Sequence, residues 1–409
     1  MSISVPYCLP LIDEAVVAEM NDTLLNTGWL TSGPKVKAFE EELATFCGVE
    51  KVLAVNSWNS GTQLMLRWFG IKPGDEVIIP AYTYSATALA AINLGAKVVM
   101  VDVGDDFNID IDKIAAAITT KTKAIIPVDI GGLPCDYFEI ERVATMHQHL
   151  FMPTHPNQEA LGRMLILSDA AHSIGATYNG KRSGALTDVS VFSFHSVKNI
   201  TTGEGGAVCL NLPAPFDNKE VYKYLKHFHL YGQTKSALDK TKPGKWRYDI
   251  VSPGMKANMN DICASVGLSQ LRRYEKELLP HRQQLFLRYQ DAFADYEWAY
   301  KPTLRTEDKV SSAHLYMLRF RGVTEDQRDA VIDYLTENKV GTSVHYIPMA
   351  TFTYFKSIGY DIADYPNTYK NYAQEITLPL YNSLPEEKVD YVIEQTIKAY
   401  ETVTKKILA

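Results

Sequence analysis

From residue 51 onward the chain carries seven short apolar runs: KVLAVN (51–56), EVIIPA (76–81), KVVMVDV (97–103), AIIPVDI (124–130), MLILSDA (164–170), VSVFSF (189–194) and GAVCLN (206–211). Most are uninterrupted rather than alternating, which is the pattern of strands covered on both faces in a mostly parallel sheet. Between the early runs, GTQLMLRWFG and DIDKIAAAITT have helical spacing. Alternating strands and helices predict an α/β layered unit. The last two runs follow each other without a helix, so one of that pair is expected to run antiparallel. Nearer the start, TSGPKVKAFEEELATF reads as a helix, with Thr31 or Ser32 as its cap, Pro34 in the first turn and Val36, Phe39, Leu43 and Phe46 along one face.

Beyond about Gln270 the texture changes. LRRYEKELLPHRQQLFLRYQDAF reads as one long amphipathic helix, SSAHLYMLRF as a strand and EKVDYVIEQTIKAYETV as a final helix. The expected architecture is a large α/β unit over residues 1–270, built on a mostly parallel seven-stranded sheet between helices, and a smaller α+β unit over 271–409. Residues 147–163, HQHLFMPTHPNQEALGR, interrupt the pattern. They hold two prolines and three histidines without metal-ligand spacing, and a surface loop is predicted.

Composition narrows the function classes. The 409-residue chain has a net charge of −7, which does not favour a nucleic-acid partner, although a local pocket on an acidic protein can still be positive. Cys8, Cys47, Cys135, Cys209 and Cys263 are scattered and form no CxxC pair, against a disulfide framework or a zinc site. Cys209 and Cys263 lie in apolar runs and are predicted to pack in the core. No leader with a basic start and no apolar run long enough to span a bilayer is seen, so a reducing cytoplasm is the expected compartment. Repeats and heptads are absent, which leaves a purely structural assembly role without support.

Ligands of open α/β sheets sit outside the carboxyl ends of the strands. Asp169, His172, Ser193, Lys198, Tyr84 and the triplet Ser57-Trp58-Asn59 all follow predicted strands. Lys198, in FHSVKNITTGEGG, is either a solvated lysine in a turn or a partly desolvated nucleophile of the kind that forms Schiff bases, including with pyridoxal 5′-phosphate. That cofactor makes further demands. Its ring nitrogen needs a buried carboxylate, for which Asp169 is the candidate unless it merely caps AAHS. Its phosphate needs donors at a helix start, which Ser57, Trp58 and Asn59 offer along with the Ser193 hydroxyl. Its open face needs an aromatic cover, for which Tyr84 is the candidate.

The stretch SDAAHSIGATYNGKRSGALTDVSVFSFHSVKNITTGEGGAV resembles the signature of the DegT-type nucleotide-sugar aminotransferases, a family of fold-type I pyridoxal phosphate enzymes. GWLTSGPKVKAFEEELATFCG, IKPGDEVIIPAYTYSATALAAINLGAKVVMVDV, SPGMKANMNDICASVGLSQL, VHYIPM and ITLPLYNSLPEEKVDYVI extend the resemblance, in order, over nearly the whole chain. It implies that Lys198 is the Schiff-base lysine and Asp169 the partner of the pyridinium nitrogen, together the catalytic pair. It implies that His172 lies near the cofactor's 3′-oxygen, that Ser193 binds the phosphate and that His195 has a supporting role. Thr31, Ser32 and Gly33 match a loop that lines the sugar site, and His345 and Tyr346 match a segment reaching the active-site mouth. Two positions depart from the common pattern. Asn59 stands where many relatives have a phosphate-binding threonine, and Lys256 stands where an asparagine usually reaches the cofactor phosphate of the partner subunit, a role open equally to Asn258.

The implied reaction has two halves. An amino donor, L-glutamate, converts the cofactor to pyridoxamine 5′-phosphate, and a nucleotide-linked keto sugar then takes the amine, with Lys198 moving the proton each time. A UDP-linked 4-keto-6-deoxy sugar aminated at C4 is preferred, for surface polysaccharide or glycan synthesis. The alternatives are a dTDP- or GDP-linked sugar, amination at C3, another fold-type I reaction on a small amino acid, or a cofactor-binding regulator without turnover. A homodimer with shared active sites, with neither nucleic acid nor membrane as partner, is the expected assembly.

Overall fold

A computed structural model of the chain describes residues 3–408. The seven apolar runs form one sheet: β1 (Lys51–Val55), β2 (Glu76–Pro80), β3 (Lys97–Val101), β4 (Thr122–Ile125), β5 (Leu165–Asp169), β6 (Val189–Ser193) and β7 (Gly206–Leu210). Their spatial order is β1-β7-β6-β5-β4-β2-β3. β7 runs antiparallel to both β6 and β1, and the other pairings are parallel. This is the expected fold-type I α/β sheet, and its one reversed strand belongs to the helix-free pair. Every residue of β2, β4, β5 and β7 is buried, which accounts for their unbroken apolar runs.

Two helices packed on the sheet matter for the site. Helix α1 (Pro34–Cys47) starts at Gly33, not under a Thr31 or Ser32 side chain as expected. Its cap comes from far away: the buried Asp261 carboxylate accepts the N–H groups of Gly33 (2.8 Å), Lys35 (3.1 Å) and Val36 (3.0 Å). A carboxylate satisfies more of these orphan donors than a hydroxyl can, and it also suits the positive end of the helix dipole. Helix α2 (Trp58–Trp68) follows β1 directly and lies on the sheet. A Cβ on Gly61 would sit 2.9–3.2 Å from Val208, Val191 and Val55, so glycine permits this close approach.

The 147–163 segment is not a plain surface loop. It contains a 3₁₀ turn at Gln148–Leu150 and a short helix at Pro156–Leu161, and Gln158 is fully buried. The polar residues turn inward because the end of α2 has carbonyls to satisfy. Asn157 donates to the Trp68 carbonyl at 2.6 Å and Gln158 to the Phe69 carbonyl at 3.0 Å. Cys209 is buried as predicted, whereas Cys263 is partly buried beside the same core.

The long helix expected beyond Gln270 begins earlier and is interrupted. It comprises α3 (Asp261–Arg273), a π-helical stretch at Tyr274–Leu278 and α4 (Leu279–Ala292). Pro280 lacks an N–H and its ring would strike the carbonyl one turn back, so the backbone widens just before it. A three-stranded antiparallel sheet follows, from β8 (Ala299–Tyr300), β9 (Tyr316–Phe320) and β10 (Glu375–Leu378), in the order β8-β9-β10. Helix α5 (Glu386–Leu408) closes the chain. Only the second half of SSAHLYMLRF is strand. Its first half docks on the β4–β5 side of the large sheet, with Ser312 N–H on the Gly132 carbonyl and His314 N–H on that of Gly131, both at 3.0 Å. Val5, from the start of the chain, pairs with Val340 and is buried in the core of the small sheet. Met349, Ala350, Phe355 and Tyr365 pack instead against the core of the large one.

Candidate active site

A cavity of about 370 Å³ opens where β1, β2, β4, β5 and β6 end. Ten of the residues singled out in the sequence line it: Ser57, Trp58, Asn59, Tyr84, Asp169, His172, Ser193, Lys198, His345 and Tyr346. His195 lies on its rim, half-exposed. Thr31, Ser32, Gly33, Lys256 and Asn258 do not line it. They gather beside the end of β1, where Asn258 pairs with Val55 and donates to the Ser32 hydroxyl at 2.6 Å. Lys256 there places its ammonium 5.9 Å from the Tyr231 ring centre.

Asp169 ends β5 and is buried. Its carboxylate accepts the Thr87 hydroxyl at 2.8 Å and the Ala171 N–H at 3.2 Å, two neutral donors. Burial without a bonded cation pushes its pKa up to about 7. Lys198 lies in the turn between β6 and β7, half-buried, and no described residue hydrogen-bonds its amine. Burial pushes the amine down to about 8, and the Asp169 charge opposes that fall. The two groups therefore sense each other across the cavity, one a carboxyl that holds a proton unusually well and the other an amine that gives one up readily.

The start of α2 supplies the opposite wall. Ser57 caps the helix by accepting the Ser60 N–H at 3.1 Å. The Asn59 side chain is already engaged, with its amide on the Ala86 carbonyl at 3.3 Å and its oxygen on Gln63 at 2.5 Å. The first-turn N–H groups are what this wall presents, since a helix cannot satisfy them internally. Gly206 allows the arrangement: a Cβ there would lie 2.7 Å from Ser57 C, 2.8 Å from Trp58 N and 2.7 Å from the Phe192 carbonyl. The GEGG sequence after Lys198 thus lets β7 pass directly beneath the helix start.

Three imidazoles crowd the remaining wall, and all are neutral. Burial holds His345 down to about 3 and pushes His172 and His314 well below the ordinary histidine range. His345 is braced by Thr377 at 2.9 Å, with its own backbone N–H on Glu375 at 2.9 Å. Burial raises that glutamate to about 8. Lys198 thus faces this cavity as a cation beside three neutral rings. Sequence reasoning missed His314, Thr87 and Tyr7, which also line it. A histidine between two serines and an apolar run was a usable signal for His314. Nothing local marks Tyr7, which arrives because Val5 is strapped to the small sheet, and its ring then stacks on His345 at 5.7 Å.

Comparison with known proteins gives the family. The model of the DegT/DnrJ/EryC1/StrS aminotransferase family matches residues 10–396. The chain belongs to that family. The spore coat polysaccharide biosynthesis protein SpsC of Bacillus subtilis is 37% identical over 396 residues, which are 95% of each chain. Among solved structures, the putative sugar aminotransferase Spr1654 of Streptococcus pneumoniae in its PMP form is 41% identical, with a TM-score of 0.94 over 98% of this chain and 100% of that one. The Helicobacter pylori aminotransferase PseC, of pseudoaminic acid biosynthesis, is 26% identical with a TM-score of 0.85 over 98% and 100% of the two chains. This family member is thus a sugar aminotransferase, and its cofactor is pyridoxal phosphate, in which the Streptococcus pneumoniae protein has also been solved.

The residues present fit that cofactor. Asp169 offers a buried carboxylate bonded only by neutral donors, suited to a ring N–H⁺. Lys198 offers an unbonded amine, and the α2 start offers unsatisfied N–H groups for a phosphate. No helix among the described residues is long and apolar enough to cross a membrane.

Proposed function

We propose that the chain moves an amino group from L-glutamate to a nucleotide-linked 4-keto-6-deoxy sugar, UDP-linked and aminated at C4, for surface polysaccharide or glycan synthesis in the cytoplasm. The observation that carries the reading is Lys198 and Asp169 facing one cavity at the ends of neighbouring strands. The Bacillus subtilis relative's role in spore coat polysaccharide biosynthesis supports the pathway class.

When bound, the cofactor supplies an electron sink that acidifies the carbon bearing the amino group. The chain's own residues do the rest. Lys198, whose amine burial pushes down to about 8, takes the proton from that carbon in its deprotonated form and returns it on the other side of the transfer. Asp169 holds the ring nitrogen protonated and is itself held by Thr87. The N–H groups of Trp58 and Asn59 would hold the phosphate together with the Ser57 and Ser193 hydroxyls, Tyr84 would cover the ring, and His172 would stand near its 3′-oxygen. His345 and Tyr346 close the substrate side of the cavity.

Thr31, Ser32, Gly33, Lys256 and Asn258 serve the cavity of a second copy in this reading, since they do not line the chain's own. Exposed apolar residues such as Leu25, 80% exposed, and Trp246, 67% exposed, support such a homodimer. The test is an absorbance titration. Adding the cofactor should produce a band at roughly 400–430 nm that L-glutamate then bleaches. Lys198→Ala should fold and show neither change. A band that ignores glutamate overturns the donor, and an unaltered Lys198→Ala variant overturns the lysine. A panel of keto-sugar nucleotides then decides the acceptor.

A further inference from the structure

The cavity wall behind Lys198 carries His172 and His314 ring to ring, with centres 4.3 Å apart. Both nitrogens of His172 are committed. The Gly131 N–H donates to Nδ1 at 3.3 Å, so Nδ1 carries no hydrogen. Burial first, and then the charge of Lys198, keeps the ring from taking a second proton. The single ring hydrogen therefore sits on Nε2 and is donated to the Tyr346 hydroxyl oxygen at 3.0 Å. Tyr346 accepts in that bond, so its own hydrogen is not spent there, and no described residue takes it. A phenol O–H stays near the ring plane and has two settings, and the arriving Nε2–H disfavours one of them. Burial also holds this phenol well above its ordinary range, which keeps it an O–H donor and not a phenolate.

We propose that Tyr346 donates a hydrogen bond to a substrate oxygen bound beside Lys198, and that His172, locked by the Gly131 amide, is the positioning residue that sets the direction of that donor. This rests on the aminotransferase reading and adds a role to the site. The shared chemistry is an acceptor oxygen, either a carboxylate oxygen of the amino donor or the keto oxygen of the sugar. No proton passes through His172, because the Gly131 N–H occupies the nitrogen that would have to be reloaded.

The tautomer is read on the holoenzyme by long-range ¹H–¹⁵N correlation of labelled histidine. His172 should be the Nε2–H form, unchanged across about pH 6 to 8. An Nδ1–H or titrating ring overturns the proposal, whatever the donor proves to be. Kinetically, at saturating cofactor, Tyr346→Phe should lower kcat/KM by about tenfold to a hundredfold in one half-reaction. Loss with L-glutamate assigns the carboxylate, and loss with a UDP-linked 4-keto-6-deoxy sugar assigns the keto oxygen. No loss with either substrate overturns the donor role. His172→Leu should reproduce most of the loss alone yet add little in the Tyr346→Phe background, since the two share one hydrogen bond. His172→Gln, which keeps an N–H donor, should recover most of it. Additive losses, or no recovery with glutamine, overturn the positioning role. An enzyme that ignores glutamate refutes the assigned donor but leaves the tautomer and the sugar half-reaction to decide this proposal.

Discussion

Asp169→Asn should stabilise the cofactor-free protein while damaging its function, and the gain should grow with pH. The carboxyl has a folded-state pKa of about 7 against 3.8 in the unfolded chain, because it is buried with neutral donors only. Below both values the acid is neutral in both states, and asparagine gains little. As pH rises from about 4 to about 7, the unfolded chain releases this proton while the folded chain keeps it, so wild-type stability falls by about 1.4 kcal/mol per pH unit. Above the folded value both states are ionised and the deficit levels off. Over about 3 pH units it reaches about 4 kcal/mol, a ceiling for a group with some freedom to relax. Asparagine has no such linkage. Denaturant midpoints of the cofactor-free wild type and variant, measured at about pH 5, 6, 7 and 8.5, give the difference directly; ionising groups remote from Asp169 cancel in it, while Lys198, which senses the Asp169 charge, does not. The expected difference rises steeply to about pH 7 and levels off once Lys198 is also neutral, above about pH 8. A difference that is constant with pH, or that favours wild type at alkaline pH, refutes the burial argument. The variant should also lose most of its cofactor affinity, which marks Asp169 as a residue retained for chemistry at a cost in stability.

Three further outcomes follow from the same geometry. The rate of cofactor capture by the cofactor-free chain should rise with pH and level off above about 8, where Lys198 is the free amine, and stopped-flow absorbance would show a flat profile if the lysine were ordinary. Gly206→Ala should cost about 3 kcal/mol and weaken cofactor binding, since its Cβ meets backbone atoms of Ser57, Trp58 and Phe192, and a variant with wild-type melting and affinity would refute the close approach. Asp261→Ala should cost about 3 kcal/mol by orphaning three helix N–H groups, with Asp261→Asn costing about half, as read by thermal or denaturant melting.

Much of the site was legible before the fold was seen because strand ends concentrate ligand chemistry. Asp169, Ser193, Lys198 and the Ser57–Asn59 helix start each follow an apolar run that reads as a covered strand, and each reaches the cavity. Periodicity and local chemistry are properties of short segments, so the seven strands, a reversed strand within the helix-free pair and the helix after β1 could be read from neighbours in the chain, while the structure showed that the reversed one is β7. What depended on distant segments could not be read this way. The cap of α1 comes from Asp261, more than 220 residues away, and displaced the local serine and threonine that the pattern favoured. The polar 147–163 segment turned inward to satisfy the end of α2, a need visible only once that helix was placed. His314 and Tyr7 entered the cavity because Ser312 docks on Gly132 and Val5 docks beside Val340. The sequence alone determined the strands and marked the lysine and the carboxylate as candidates, since these depend on local spacing and residue type. Tertiary structure decided their protonation and the company they keep, because burial and hydrogen-bond partners are set by segments far apart along the chain.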